Sequence, residues 1–297
     1  MRKFRTAIAI VSALTLTGYV LTLSGCDDGP STPRLYSEAD SIALCEIMAE
    51  APEYYEYVYK WDPKKIHTLP KGWKISWDMA EDGKLHITEF SASFSPTIYY
   101  TDCRIKGRVS ESFNKLTHLR SFAIDGKSWE GEMPADFGSD MKLQKFSVTN
   151  TSLVSLACKM MMRDIELFTV EKNPDLVALP DSITTLSQNV KKLISVRICS
   201  NKSLVGEIPY ITPCLMIGHV VWIMNNGYTT VNEDKLGYDY VPYQLTGNKI
   251  SMTLSEKILN DPARLVKAYF QLIPQDGTTI INMPSETEIR RIQQGLQ

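Results

Sequence analysis

The chain has no excess of positive charge. Its 297 residues include 32 lysines and arginines against 34 aspartates and glutamates, which gives a formal net charge of −2 at pH 7. Because nucleic-acid affinity depends on clustered cations that displace counterions from phosphates, a nucleic-acid partner is not expected. Hydrophobic residues make up 43% of the chain and charged residues 22%. This composition excludes disordered and collagen-like proteins and favours one large or two modest globular domains.

Recognisable catalytic and metal-binding motifs are also missing. The chain has no H-E-x-x-H pattern, no G-x-S-x-G nucleophile motif and no cysteine at ligand spacing from any of its four scattered histidines, which are His67, His86, His118 and His219. The run Gly126-Lys127-Ser128 resembles the end of a phosphate-binding loop, but Ser121 stands where that loop needs a glycine. The sequence therefore predicts a protein that is not an enzyme and that binds no cofactor and no metal.

Cysteines are few and show no paired spacing. There are six, with no C-x-x-C motif, so a zinc site is not expected. Without Cys26, which belongs to the N-terminal segment discussed next, an odd number remains, and at least one thiol must stay unpaired even in an oxidising compartment. Cys199 and Cys214 are the first candidates for a disulfide. The default interpretation of all five remaining cysteines is nevertheless that they are small buried thiols.

The first 25 residues have the layout of a secretory signal peptide. Met1–Arg5 is cationic, Thr6–Val20 is largely apolar, and Leu23-Ser24-Gly25-Cys26 follows. This ending resembles a bacterial lipobox, and the resemblance implies that cleavage precedes Cys26 and that its thiol carries a diacylglycerol. Two or more acyl chains anchor a protein stably to a membrane without spanning it. A plain transmembrane anchor is the alternative reading of the apolar run.

Residues 26–36 read as a flexible polar tether rich in glycine, proline and serine. The pair Asp27-Asp28 resembles the acidic tag that exports some lipoproteins to the outer face of the Gram-negative outer membrane. The resemblance implies an outer-membrane lipoprotein exposed at the cell surface. The alternative is that the two acids are only part of a solvated linker.

Apolar residues recur with a regular spacing through the middle of the chain. Each copy has apolar residues at its first, fourth and sixth positions, as in Ile165, Phe168 and Val170, and in some copies an asparagine at the ninth. Copies start at residues 119, 143, 165, 193, 217 and 240, which are 24, 22, 28, 24 and 23 residues apart. A buried amide at the ninth position can bond backbone groups of adjacent copies. The pattern therefore predicts an asparagine ladder of Asn173, Asn201, Asn225 and Asn248.

The copies, together with the Leu-x-Gly-x-Ile-Pro run of Leu204–Pro209, resemble the extracellular, plant-type leucine-rich repeats. The resemblance covers roughly residues 87–260 and implies an α/β solenoid, a right-handed superhelix with a parallel concave sheet. Because the ends of a solenoid expose apolar core, capping segments are expected. Residues 37–86 fit a helical N-terminal cap, starting at the capping-box run Ser37–Asp40, and residues 261–297 fit a small C-terminal cap. The protein is expected to be a monomer.

The concave face is the usual binding surface of such a solenoid. The outward positions predict a mixed apolar and cationic ligand-binding patch formed by Leu167, Thr169, Glu171, Ser195, Arg197, His219, Val221 and Ile223. The sequence therefore predicts non-covalent recognition of an extracellular protein, and the double variant Arg197→Glu with Val221→Asp is expected to abolish binding without unfolding the chain. The alternative function is glycan capture by exposed aromatics such as Tyr228, Tyr243 or the run Tyr54–Tyr59. A further alternative is that the C-terminal segment folds over the patch and buries it.

Overall fold

The computed structural model describes residues 36–51, 72–93, 106–188, 193–209, 211, 220–237 and 243–296. The predicted signal peptide, Cys26 and all but the last residue of the tether lie outside these residues. So do other residues named above, which are Tyr54–Tyr59, His67, Cys214 and His219.

The core of the molecule is a mostly parallel sheet of eight strands. In chain order the described strands are β1 Trp73–Met79, β2 Leu85–Ser93, β3 Ser121–Asp125, β4 Glu130–Glu132, β5 Lys145–Thr149, β6 Ser152–Ser155, β7 Leu167–Glu171, β8 Ser195–Cys199, β9 Val220–Met224, β10 Tyr243–Gln244, β11 Met252–Thr253 and β12 Ile280–Ile281. The large sheet has the order β1-β2-β3-β5-β7-β8-β9-β10. The strand β1 pairs antiparallel with β2, and every other neighbouring pair is parallel.

Few helices accompany the sheet in the described residues. The described α-helices are α1 Glu38–Glu50, α2 Glu256–Leu259, α3 Pro262–Leu272 and α4 Glu286–Gly295, and short 3-10 helices span Glu111–Lys115, Asp181–Gln188 and Glu233–Lys235. None of these helices is long and apolar enough to cross a bilayer.

The apolar periodicity of the sequence places one face of the sheet in the core. Side chains alternate across a strand, so the second and fourth residues of each five-residue strand point the same way. In β3, β5 and β7 these residues are buried and include the stacked rings of Phe122, Phe146 and Phe168, whose successive centroids lie 5.7 and 5.4 Å apart. Each buried phenylalanine stabilises the fold by about 2–3 kcal/mol.

A second, shorter set of parallel pairings forms away from the large sheet. The strand β4 pairs with β6, and the bridges Ser155 to Ala178 and Glu207 to Thr230 continue the pattern along the chain. On this side Val177 donates its backbone N–H to the carbonyl of Val154 at 2.9 Å, and its side chain is 62% exposed. Successive strands of the large sheet are thus hydrogen-bonded to each other, and so are the successive segments that connect them.

A buried amide ladder crosses the carboxyl ends of the strands. Asn201 accepts the backbone N–H of Asn173 at 3.0 Å and donates to the carbonyl of Val170 at 2.9 Å. All or part of this arrangement is repeated by the other members of the ladder, which are Thr151, Asn173, Asn226 and Asn248. All five members are fully buried. The backbone needs these bonds because a buried N–H or C=O without a partner is strongly unfavourable.

The predicted ladder is wrong at one position. Asn225 is exposed, and the ladder amide of β9 belongs to Asn226 instead. Asn225 has φ 58° and precedes the ladder residue, as Lys172 at φ 58° and Ser200 at φ 61° precede Asn173 and Asn201. Asparagine tolerates this left-handed conformation better than most residues, so Asn225 serves the turn rather than the ladder.

Helices close both ends of the sheet. At the N-terminal end Ser37 caps α1, and Asp40 of that helix accepts the backbone N–H of Ile87 in β2 at 2.8 Å. At the C-terminal end α3 lies against β10, where Leu245 donates its N–H to the carbonyl of Gln271 at 2.8 Å. The buried guanidinium of Arg264 in α3 donates to the carbonyls of Leu236 and Glu233, both at 2.9 Å. These bonds fix the end elements to the sheet.

Candidate recognition surface

The face of the sheet opposite the core, here called the open face, presents rows of side chains that follow the strand register. The central row contains only small residues on four strands and then two large ones: Ser91, Ala123, Ser147, Thr169, Arg197 and Trp222. Neighbouring strands are about 4.8 Å apart, so the change from small to large side chains occurs within one strand spacing. Arg197 is exposed and Trp222 is half-buried beside it.

The predicted patch is wrong in β9 because the register of that strand is shifted by one residue. Val221 and Ile223 are 2% and 0% exposed and point into the core, opposite Val196 and Ile198. The outward residues are Val220, Trp222 and Met224. Val221→Asp would therefore place a carboxylate in the core, so the predicted double variant cannot separate binding from folding. His219 lies outside the described residues.

The other predicted patch residues point outward as expected from their position in the strands. Leu167, Thr169 and Glu171 of β7 are half-buried, as is Ser195 of β8, and Arg197 is exposed. Together with the outward residues of β9 they bring six neighbouring side chains into the Arg197–Trp222 patch, which we define as Leu167, Ser195, Arg197, Val220, Trp222 and Met224. The described C-terminal helices contact β10 and each other, which leaves Arg197 exposed.

Arg197 stacks on the ring of Trp222. Its guanidinium carbon lies 4.6 Å from the ring centroid, within the range of a cation–π contact, which contributes about 0.5–1 kcal/mol at an exposed site. In the part of the chain that the structure describes, Arg197 has no ion-pair partner. Stacking leaves the N–H donors in the plane of the guanidinium free to bind an oxyanion.

Two further donors of the patch are buried and unpaired. The hydroxyl of Ser195 and the indole N–H of Trp222 have no hydrogen-bond partner among the described residues. An indole N–H and a guanidinium can only donate hydrogen bonds, and a hydroxyl can donate one. Because both of these atoms are buried, the exposed guanidinium of Arg197 supplies the accessible donors of the patch, and its chemistry suits an acceptor.

Cys199 lies beside the patch as a protonated free thiol. Its sulfur is 3.6 Å from the carbonyl of Trp222, and burial raises its pKa, an effect that Glu171 reinforces and a backbone hydrogen bond with Met224 opposes. A raised pKa makes the thiol a poor nucleophile at neutral pH. Cys199 is free, so it does not form the candidate disulfide with Cys214 and fits the default interpretation of an unpaired thiol.

Charged residues lie at both ends of the strands on the open face. Toward the carboxyl ends, Asp125 and Glu171 flank Thr149, and Ser93 donates to the Asp125 carboxylate at 3.1 Å. Toward the amino ends, a cleft of about 120 Å³ is lined by two cations and two acids: Arg120, Lys145, Asp78 and Glu89. The open face thus combines an anionic margin at the carboxyl ends, a margin of mixed charge at the amino ends and the cationic patch.

The histidines and tyrosines that could suggest other chemistry have structural roles where they are described. His86 lies between Asp40 and Asp82, with 3.2 Å from each ring nitrogen to a carboxylate, and His118 stacks against it at 4.0 Å. No group of three potential metal ligands occurs in the described ranges. Tyr228 is 4% exposed and burial raises its pKa, so the prediction that it forms an exposed sugar-binding platform is wrong.

Trp222 is the functional candidate that the sequence analysis missed. Its neighbours in β9 are all apolar, so alternation along this strand does not indicate which residues point outward. The only signal is indirect, because Trp222 comes opposite Arg197 once Asn226 is taken as the ladder residue.

Comparison with models of known protein families finds none that matches this chain, and a search of curated proteins finds no matching relative.

Proposed function

We propose that this chain is a leucine-rich-repeat solenoid that recognises another protein through its open face. The fold supports the proposal in three ways. Its parallel strands stack in chain order, its amide ladder joins successive copies, and its second set of pairings joins the segments between strands. These are the features that the repeat resemblance implies, and in such a solenoid the open face is the concave one.

We further propose that Cys26 carries a lipid and that the protein is an outer-membrane lipoprotein of a Gram-negative bacterium, exposed at the cell surface. The support is the lipobox-like ending Leu23–Cys26 followed by Asp27-Asp28. The tether would then hold the folded part away from the membrane, where it can meet an extracellular partner.

The observation that carries the recognition role is the Arg197–Trp222 patch. It joins an exposed cation, an aromatic ring and apolar side chains on a rigid sheet. Tryptophan and arginine are enriched among the residues that contribute most binding energy at protein interfaces. An apolar surface of this kind on a sheet that no described helix covers is typical of an interface.

The proposal can be tested by binding of the full chain, kept in detergent micelles, to arrays of purified extracellular proteins and of glycans. Thr169→Arg places a long side chain in the central row beside Arg197 and should weaken binding at least tenfold. Val177→Arg adds the same side chain on the second set of pairings and is the matched control, which should leave binding unchanged. Both variants should retain the wild-type melting temperature within about 3 °C.

Two results would overturn the protein-recognition role. If Val177→Arg weakens binding and Thr169→Arg does not, the binding surface is not the open face. If the chain binds glycans and no protein, and Thr169→Arg removes that binding, the open face is a glycan site.

A further inference from the structure

We infer that the Arg197–Trp222 patch binds an acidic side chain of an otherwise apolar polypeptide segment. The inference rests on the proposed function, which it makes more specific by naming the chemistry of the partner. It depends on the arrangement of donors, apolar neighbours and acids around Arg197.

The donors of the patch call for an anionic acceptor. Arg197 is held by the ring of Trp222, 4.6 Å away, so its guanidinium is oriented before a ligand arrives. Preorganisation of this kind lowers the entropy that binding must overcome. A carboxylate can accept two parallel hydrogen bonds from one guanidinium, and this bidentate geometry is stronger and more specific than a single bond.

The apolar neighbours favour a polypeptide as the source of that carboxylate. Leu167 and Val220 lie on one side of the Arg197–Trp222 pair and Met224 lies on the other. Methionine adapts well to the apolar side chains of a peptide, and Leu167 and Val220 add apolar contact area. A segment with apolar residues on both sides of one acid would match this order of contacts.

The acids of the open face limit where the partner can carry negative charge. Glu171 lies on the strand next to Arg197, opposite Cys199, and Asp125 lies two strands further along the same row. A second acid of the partner placed over this row would be repelled, and like charges at close range weaken a complex. The patch therefore favours a partner that places a single acidic side chain above Arg197, and it disfavours a uniformly acidic chain.

The test uses the full chain in detergent micelles as bait for a phage-displayed library of random twelve-residue peptides. Selected peptides should share one aspartate or glutamate flanked by apolar residues. Changing that acid to its amide should weaken binding at least tenfold, and Arg197→Gln should weaken it by a similar factor. Arg163→Gln is the control, because Arg163 is an exposed arginine that pairs with the adjacent Asp164 at 3.3 Å.

Glu171→Gln supplies a second, independent readout. It removes a repulsive charge next to the patch and should tighten binding of peptides with two acids about threefold or more, while peptides with one acid change less. This difference is not expected from a variant that merely disturbs the fold.

The outcomes separate this inference from the proposed function. If Thr169→Arg abolishes peptide binding but Arg197→Gln and the amide peptides bind normally, the open face recognises polypeptides and the assigned chemistry is wrong. If both Thr169→Arg and Arg197→Gln leave peptide binding unchanged, both proposals fall. A library that yields no binder, or an array on which only glycans with uronic acids bind, also overturns the polypeptide assignment.

Discussion

The ladder residue of β9 provides the sharpest test of the register on which the recognition surface depends. Asn226 is fully buried and accepts the backbone N–H of Asn201 at 2.9 Å. It also donates to the carbonyl of Ile198 at 2.7 Å. Asn226→Ala leaves both backbone groups without partners, and each loss costs about 1–3 kcal/mol. We expect the free energy of unfolding to fall by about 3 kcal/mol in total.

The adjacent residue is a natural control. Asn225 is exposed and has φ 58°, a conformation that glycine adopts without strain. Asn225→Gly should therefore change the free energy of unfolding by less than about 0.5 kcal/mol. The two variants remove the same side chain from neighbouring positions, so the difference between them reports the ladder alone.

Urea unfolding followed by circular dichroism measures both effects as a change in midpoint at constant slope. In a thermal melt the Asn226→Ala variant should lose roughly 6–10 °C for a chain of this size. If Asn225→Gly is the more damaging variant, the ladder passes through Asn225 after all. Val221 and not Trp222 would then face outward, and the patch described above would not exist.

Three further predictions follow from burial, the lipobox resemblance and the thiol environments. Val221→Asp should lower the free energy of unfolding in urea by on the order of 4 kcal/mol because Val221 is 2% exposed, whereas Trp222→Asp should leave it within about 1 kcal/mol of wild type. Equal losses would contradict the assigned sides of β9. Cys26→Ser should abolish labelling with radioactive palmitate and move the protein from the membrane to the soluble fraction, and unchanged labelling would rule out Cys26 as the lipid site. Burial raises the pKa of Cys45 and Cys158 to about 11 from an ordinary 9.0, so at pH 8.5 iodoacetamide should label the native chain far more slowly than the urea-unfolded chain. Because the unfolded thiols lose their protons first, the free energy of unfolding should hold below about pH 8 and fall between pH 9 and 11, and stability that rises over this window would contradict their burial.

The sequence predicted β3, β5, β7 and β8 with their inward residues because an apolar, polar alternation is visible in each. In β8, for example, Val196 and Ile198 alternate with Ser195, Arg197 and Cys199, and the structure buries the first two. Asn201 then follows three residues after Ile198, which fixes the ladder in the same register. In these strands the local pattern and the tertiary packing agree, so the pattern was sufficient to predict which residues point inward.

The sequence failed in β9 because two registers fit it equally well. All five residues from Val220 to Met224 are apolar, and two asparagines follow. Tyr228 stands three residues after Asn225, as Leu176 stands three residues after Asn173, and this match favoured the wrong asparagine. In the structure Tyr228 is buried two residues after the ladder position, as Leu153 is after Thr151. Only the hydrogen bonds between successive copies distinguish the two registers.

The candidate site was harder to predict than the fold for the same reason. Arg197 was identified because its strand alternates clearly, but the pairing of Arg197 with Trp222 depends on the register of the next strand. The length of the connection between β8 and β9 sets that register, and connections of this kind vary from copy to copy. Sequence periodicity predicts which residues repeat along one strand and not which residues meet across two strands.

The two edges of the large sheet differ from its interior. The edge strand β1 has an irregularity between Ser76 and Trp77 and carries Lys74 and Asp78. The other edge strand, β10, spans only two residues, and the next residue, Leu245, is hydrogen-bonded to α3. Bulges, charges and very short strands all discourage pairing with a foreign strand. Copies of this chain crowded side by side would therefore find no long, flat edge at these two strands along which to polymerise into fibres.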